Sequence, residues 1–224
     1  MQIDPSGAFP WNRNAEESSN PMAGGGASRD AQMDDLRCVA AVRKGQLDAF
    51  SQVVRRYQDR LFNMILRLMG DYEEAADLTQ QAFLKAYESL DGFRGDSSFY
   101  TWLYRIGVNV TLDARKRRAR SPEVSAESFP SGDDDDGNGT RFDPVASVAD
   151  DPAERSLANE REQAVAAAIK TLDEMHRSVL VLRDIEGMDY DEIASVLGIP
   201  RGTVKSRLHR ARLEMRDKLK DLMS

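Results

Sequence analysis

Eight side chains between Arg201 and Arg212 concentrate hydrogen-bonding chemistry in one stretch: Arg201, Thr203, Lys205, Ser206, Arg207, His209, Arg210 and Arg212. Guanidinium and ammonium groups neutralise phosphate, and the same donors can reach acceptors on base edges in a major groove. Val204, Leu208, Ala211 and Met215 interrupt the polar residues. On a helix these four fall within an arc of about 60° and predict a stripe facing a core. Lys205, Ser206, His209 and Arg210 then project from the opposite side as candidates for base contact. Arg201, Thr203, Arg207 and Arg212 lie on the flanks, where phosphates would sit. A Lys/Arg run can equally be the solvated face of a surface helix. Here Asp189–Leu197 reads as a short helix with Ile193, Ala194 and Leu197 on its apolar side, and Gly198 supplies a turn. Short helix, glycine turn and basic helix make a helix-turn-helix layout.

A second group lies between Phe93 and Arg120. Phe93, Phe99, Tyr100, Trp102 and Tyr104 precede Arg115, Lys116, Arg117, Arg118 and Arg120. Aromatic rings beside bases suit unpaired DNA, because exposed bases stack on rings while cations hold the backbone. Helical spacing also puts Trp102, Leu103, Ile106 and Val110 on one side, so part of this set is expected in a core. The stretch Phe93–Ser98 differs, with a glycine and polar residues between two phenylalanines, and could form a pocket for one extruded base.

Catalytic arrangements are not evident. No Gly-rich phosphate loop or nucleophile–base pair is present, and the two histidines, His176 and His209, are far apart. Asp133–Asp136 has carboxylates but no scaffold to preorganise a metal site. No cofactor or metal is expected. Cys38, the single cysteine, has no internal partner, which points to a reducing compartment, the cytoplasm; on a helix it reads as a small buried hydrophobe. No apolar run approaches a membrane span, and no signal segment is visible.

The net charge of −7 argues against nucleic-acid binding, but its distribution removes the objection. Residues 121–155 carry ten acids against Arg141 and Arg155, a balance of −8, so the remaining residues sum to +1 with locally clustered bases. That clustering is what a phosphate-facing surface requires.

The elements that must position these groups are all helical. A polar tail containing Pro5, Pro10, Pro21 and Gly24–Gly26 is expected to be flexible over residues 1–32, and an acidic linker is expected over residues 121–152. Between and after them the periodicity predicts helices over about 34–44, 47–69, 71–90 and 98–118, then 153–170, 173–186, 190–197 and 201–222. Asp71 with Glu74 predicts an N-terminal cap, and Asp96, Ser97 or Ser98 a second. The fold class is all-α: two small helical domains, 33–120 and 153–224, joined by a flexible acidic linker, the second a helix-turn-helix.

Three segments in order, DLTQQAFLKAYESLDGF at Asp77–Phe93, FYTWLYRIGVN at Phe99–Asn109 and the helix-turn-helix, resemble the extracytoplasmic-function (ECF) sigma factors of the sigma-70 family. The resemblance spans about 34–120 and 153–222. It implies a sigma region 2 domain that binds core RNA polymerase and the promoter −10 element, and a region 4 domain that binds the −35 element. Asp77, Gln80 and Gln81 would contact a coiled coil of the polymerase β′ subunit. Phe93, Arg94, Asp96, Ser97 and Ser98 would hold the flipped −10 base, with Trp102, Arg105 and Asn109 nearby. Arg115, Lys116, Arg117 and Arg118 would hold the backbone. The implied partners are core polymerase through its β′ and β subunits, promoter DNA and, in many family members, an anti-sigma factor. The free chain is expected to be monomeric, without direct membrane insertion, and to serve a stress or envelope response. The competing reading of the helix-turn-helix is a self-sufficient regulator, but the first domain lacks the β/α pattern of a receiver.

Overall fold

The computed structural model describes residues 29–120 and 163–222. The expected acidic linker, most of the tail and the start of the 153–170 helix lie outside the described residues. Among the described residues all regular structure is helical.

The first unit contains α1 (Arg29–Arg43), α2 (Asp48–Met69), α3 (Tyr72–Glu88), a 3-10 turn (Leu90–Gly92) and α4 (Phe99–Arg120). Helix α1 begins five residues before its predicted start, and the Arg56 guanidinium on α2 reaches the Ala31 carbonyl at 3.3 Å. Its buried stripe contains Asp35 beside Cys38, Val39 and Val42. Asp35 accepts from the Tyr57 hydroxyl and from Arg56 at 2.6 Å. Burial nevertheless raises its pKa, against the opposing pull of these donors.

Helix α2 buries Val53, Tyr57, Leu61, Met64, Ile65 and Leu68 and stops at Gly70, whose φ of 83° suits a glycine and whose N–H donates to the Leu66 carbonyl. The Asp71 cap forms as expected: its carboxylate accepts from the Glu74 N–H at 2.9 Å. Helix α3 ends two residues earlier than predicted and tightens into the 3-10 turn. Ser98, of the three cap candidates, accepts the Thr101 N–H at 3.0 Å at the head of α4. Helices α2 and α4 cross closely at Gly107. A Cβ there would lie 2.7 Å from Leu61 Cδ1 and 3.2 Å from Met64 Cε.

The second unit comprises a helix over 163–171, α6 (Glu174–Leu180), α7 (Tyr190–Leu197) and α8 (Arg201–Leu222). The helix over 163–171 is labelled α5. The single helix expected over 173–186 instead widens into a π turn, Val181–Ile185, in which the Glu186 N–H donates to the Val181 carbonyl at 3.0 Å. This turn directs buried Asp184 at Arg212 of α8, with contacts of 2.5 and 3.0 Å. Asp189 and Glu192 form a full capping box at α7, and Gly198 ends that helix at φ 64°. Val204, Leu208, Ala211, Met215 and Leu219 of α8 are buried.

The two units pack against one another, which the sequence reading did not anticipate. Helix α4 lies against α7, and the end of α2 meets α6 and the π turn.

Candidate nucleic-acid interface

The candidate recognition surface follows from how α8 is seated. With its apolar stripe buried, Lys205, Ser206, His209 and Arg210 are exposed along the other side. The Ser206 hydroxyl donates to the Thr203 carbonyl at 3.1 Å, while Thr203 itself is half-buried. Arg201 is exposed beside Asp191 at 3.4 Å. The structure therefore gathers the four candidate base-contacting residues on one free face, presented after the left-handed Gly198 turn. The flanks differ from one another. Arg207 is half-buried, and its Nη1 is buried without a partner. Arg212 is held by Asp184 inside its own unit, and this hydrogen bond is the largest contribution raising its pKa. The phosphate role expected for Arg212 thus competes with a structural one, whereas Arg210 and Arg201, the latter in an exposed pair with Asp191, face solvent.

The Phe93–Ser98 loop is built on an aromatic floor. Phe93 is buried, edge-on to Phe99 at 5.6 Å between centroids and tilted against Trp102 at 5.3 Å. Arg94, Gly95 and Asp96 are exposed, and Ser97 and Ser98 half-buried. Trp102 is half-buried one turn along α4. Asn109 is exposed farther down the helix, as are Lys116, Arg117 and Arg118. Arg118 pairs with Glu74 at 3.0 Å, an exposed contact weak enough to exchange for phosphate.

Arg105 and Arg115 have partners in the second unit. Arg105 donates through Nη2 to the Ser195 hydroxyl on α7, and its Nε is buried without a partner. Arg115 donates to the Leu68 carbonyl at 2.7 Å and lies 3.2 Å from Glu174. Arg177 from α6 donates to the same Leu68 carbonyl at 2.7 Å, so two guanidinium groups converge on the end of α2. Burial, followed by the repulsion of Arg115, lowers the Arg177 pKa.

At the centre of this seam is Glu186. Its carboxylate accepts from the Tyr104 hydroxyl at 2.9 Å and the Tyr100 hydroxyl at 3.4 Å, with Arg60 at 3.6 Å. The Thr101 hydroxyl donates to Glu192 at 3.0 Å, so the residue that caps α7 also binds α4. Burial raises the Glu186 pKa despite Arg60 and the two hydroxyls, and it raises those of Tyr100 and Tyr104 as well. None of this was legible beforehand. Glu186 appears in the sequence as one acid before a glycine, and only its partners on α2 and α4 distinguish it.

Asp77, Gln80 and Gln81 are exposed together on α3, opposite buried Leu78, Thr79, Ala82 and Phe83. Leu84, also exposed, extends the same face by one turn, and Tyr87 follows with its ring edge-on to Phe50 at 5.2 Å. The sequence reading missed these two apolar residues, although spacing from Gln80 and Gln81 would have found them. No group of His, Cys, Asp and Glu among the described residues could hold a metal ion. His176 instead meets Glu214 at 3.1 Å.

Comparison with known proteins agrees with this architecture. Residues 53–121 match Sigma-70 region 2 and residues 162–215 match Sigma-70, region 4. RNA polymerase sigma-H factor of Pseudomonas aeruginosa is 40% identical over 184 residues, covering 81% of this chain and 91% of the relative. ECF RNA polymerase sigma-E factor of Escherichia coli K12 is 38% identical over 198 residues, covering 86% and 97%. The solved structure of CnrH in complex with the cytosolic domain of CnrY superimposes with a TM-score of 0.58 at 28% identity, covering 84% of this chain and 98% of that one. With two helical units, a helix-turn-helix in the second and relatives aligned across both, the chain belongs to the ECF sigma factors of the sigma-70 family, which direct RNA polymerase to promoters and are not enzymes.

Proposed function

We propose that promoter recognition divides between the two units. Lys205, Ser206, His209 and Arg210 of α8 read the −35 element in the major groove, with Arg201, Thr203 and Arg207 beside the phosphates. The Phe93–Ser98 loop with Trp102, Arg105 and Asn109 reads an extruded −10 base, and Arg115, Lys116, Arg117 and Arg118 hold the backbone. Asp77, Gln80 and Gln81 dock on the β′ subunit of core polymerase. The observation that carries this reading is the free polar face of α8, exposed over a buried apolar stripe after a glycine turn.

The work is assigned to the cytoplasm, where RNA polymerase acts, and to a stress or envelope response on the likeness to sigma-E factors. An anti-sigma partner is proposed from membership of the ECF sigma factors; CnrH, similar in fold, is solved in complex with a second protein, the cytosolic domain of CnrY. Run-off transcription with core polymerase on genomic promoter fragments tests the division. Discrete transcripts with intact protein, lost with a Lys205→Ala, Arg210→Ala double variant, are expected. Tight duplex binding without transcription from core polymerase would instead indicate a self-sufficient regulator.

A further inference from the structure

We infer that Arg43, the last residue of α1, is a positioning residue for the Phe93–Ser98 loop and so for discrimination at the −10 element. The inference rests on the assignment of that loop to −10 readout. Arg43 Nη2 lies 2.8 Å from the Leu90 carbonyl, 3.2 Å from that of Asp91 and 2.5 Å from that of Phe93. These carbonyls belong to the 3-10 turn after α3 and to the first residue of the loop. The Leu90 carbonyl also accepts the Phe93 N–H at 3.1 Å, and carbonyls at a helix end form the negative end of its dipole, so a guanidinium is favoured beside them.

The clamp fixes the entry of the loop through its backbone, while the buried Phe93 ring fixes it through the aromatic floor. The exit is fixed separately: the Ser98 hydroxyl accepts the Thr101 N–H and pairs with the Thr101 hydroxyl at 2.7 Å. Between two anchored ends, Arg94, Gly95 and Asp96 form a short exposed arch with Gly95 at φ 79°. An arch held at both ends loses little conformational freedom when it closes on a base, and its donors stay in register to distinguish one base from another. Releasing the entry admits alternative loop shapes, which costs selectivity more than general affinity. Arg43 reaches no candidate DNA-contacting side chain in these bonds; its partners are backbone oxygens and, 3.9 Å from Nε, the exposed Asp91 carboxylate.

The test uses the full chain with core polymerase. Open-complex formation is measured on a responsive promoter and on the same promoter with single −10 bases changed, keeping the −35 element constant. Arg43→Ala is expected to reduce the preference for the native −10 sequence about tenfold, the scale of one lost charge-assisted hydrogen bond. Core affinity and −35 duplex binding should remain, and Arg43→Lys should restore part of the preference. Should Arg43→Ala not fold, Arg43→Met keeps the apolar stem without the donors and is read by the same ratio. A folded Ala or Met variant with unchanged −10 preference overturns the inference. An Arg94→Ala, Ser97→Ala double variant separates the two layers. Loss of preference in that variant but not in the Arg43 variants leaves the loop reading standing alone; retention in the loop variant removes the loop reading and the inference together.

Discussion

The Tyr104 hydroxyl on α4 donates at 2.9 Å to the carboxylate of Glu186, which follows the π turn of the other unit. With Tyr100 and Arg60 completing the contact, one buried acid ties α4 to the helix-turn-helix unit.

Replacing Glu186 with alanine should loosen this seam. The substitution leaves the Tyr104 hydroxyl without its acceptor and Arg60 without its carboxylate, at a cost of about 1–3 kcal/mol. Native-state hydrogen exchange is expected to accelerate in α7 while the interiors of α2 and α3 remain protected. Unchanged exchange in α7 would show that the apolar contacts hold the units together without Glu186.

The same contact should depend on pH. Because burial raises the Glu186 pKa in the packed state, packing takes up a proton that the separated units release. Its contribution is fully present below the ordinary value of 4.5 and is lost as pH rises through the raised value. A donor–acceptor dye pair, one dye on each unit, should report separation increasing in that direction. Glu186→Gln should flatten the response. Asp35, also raised, lies within the first unit and should leave this separation unaffected.

Arg105 and Ser195 offer a test of whether the seam must open for promoter binding. Arg105 is assigned to the −10 element yet bonds to Ser195 across the units. Cysteines at both positions, joined by a short bismaleimide in a Cys38→Ala background, would keep them together. Both arms lack the Arg105 guanidinium, so the comparison isolates the seam: the bridged protein is expected to form fewer open complexes than the same unbridged cysteine variant, as read by run-off transcription. Equal activity before and after bridging would show that the seam need not open for promoter binding.

Arg210 and Arg212 should separate recognition from stability, although only one residue lies between them. Arg210→Ala removes an exposed donor and should weaken −35 binding by about 1–3 kcal/mol with little change in melting temperature. Arg212→Ala leaves buried Asp184 unpaired and should cost about 3–5 kcal/mol of stability, read by denaturant unfolding. If both variants melt like the parent, the Asp184–Arg212 pair does not support the fold.

Helix existence, most helix ends and the exposed face of α8 were legible in the sequence because they depend on local rules. Apolar residues recur every three or four positions, glycine accepts the left-handed turn at 70 and 198, and Asp71 and Ser98 sit where free N–H groups need an acceptor. Side-chain types also located the candidate bases on Arg201–Arg212 and around Phe93–Ser98. The interruption at Val181–Ile185 was not legible, because a π turn there serves distant partners: Arg212 for Asp184, and Tyr100, Tyr104 and Arg60 for Glu186. Nor could the sequence divide the arginines. Arg43, Arg105, Arg115, Arg177 and Arg212 share one chemistry with Arg201 and Arg210, and only the packing of the helices determines which carbonyl or carboxylate each meets. Local periodicity thus determined the elements and the kind of surface they present. Tertiary structure decided which charges remain free, because desolvation and hydrogen-bond geometry act between residues that the chain order keeps far apart.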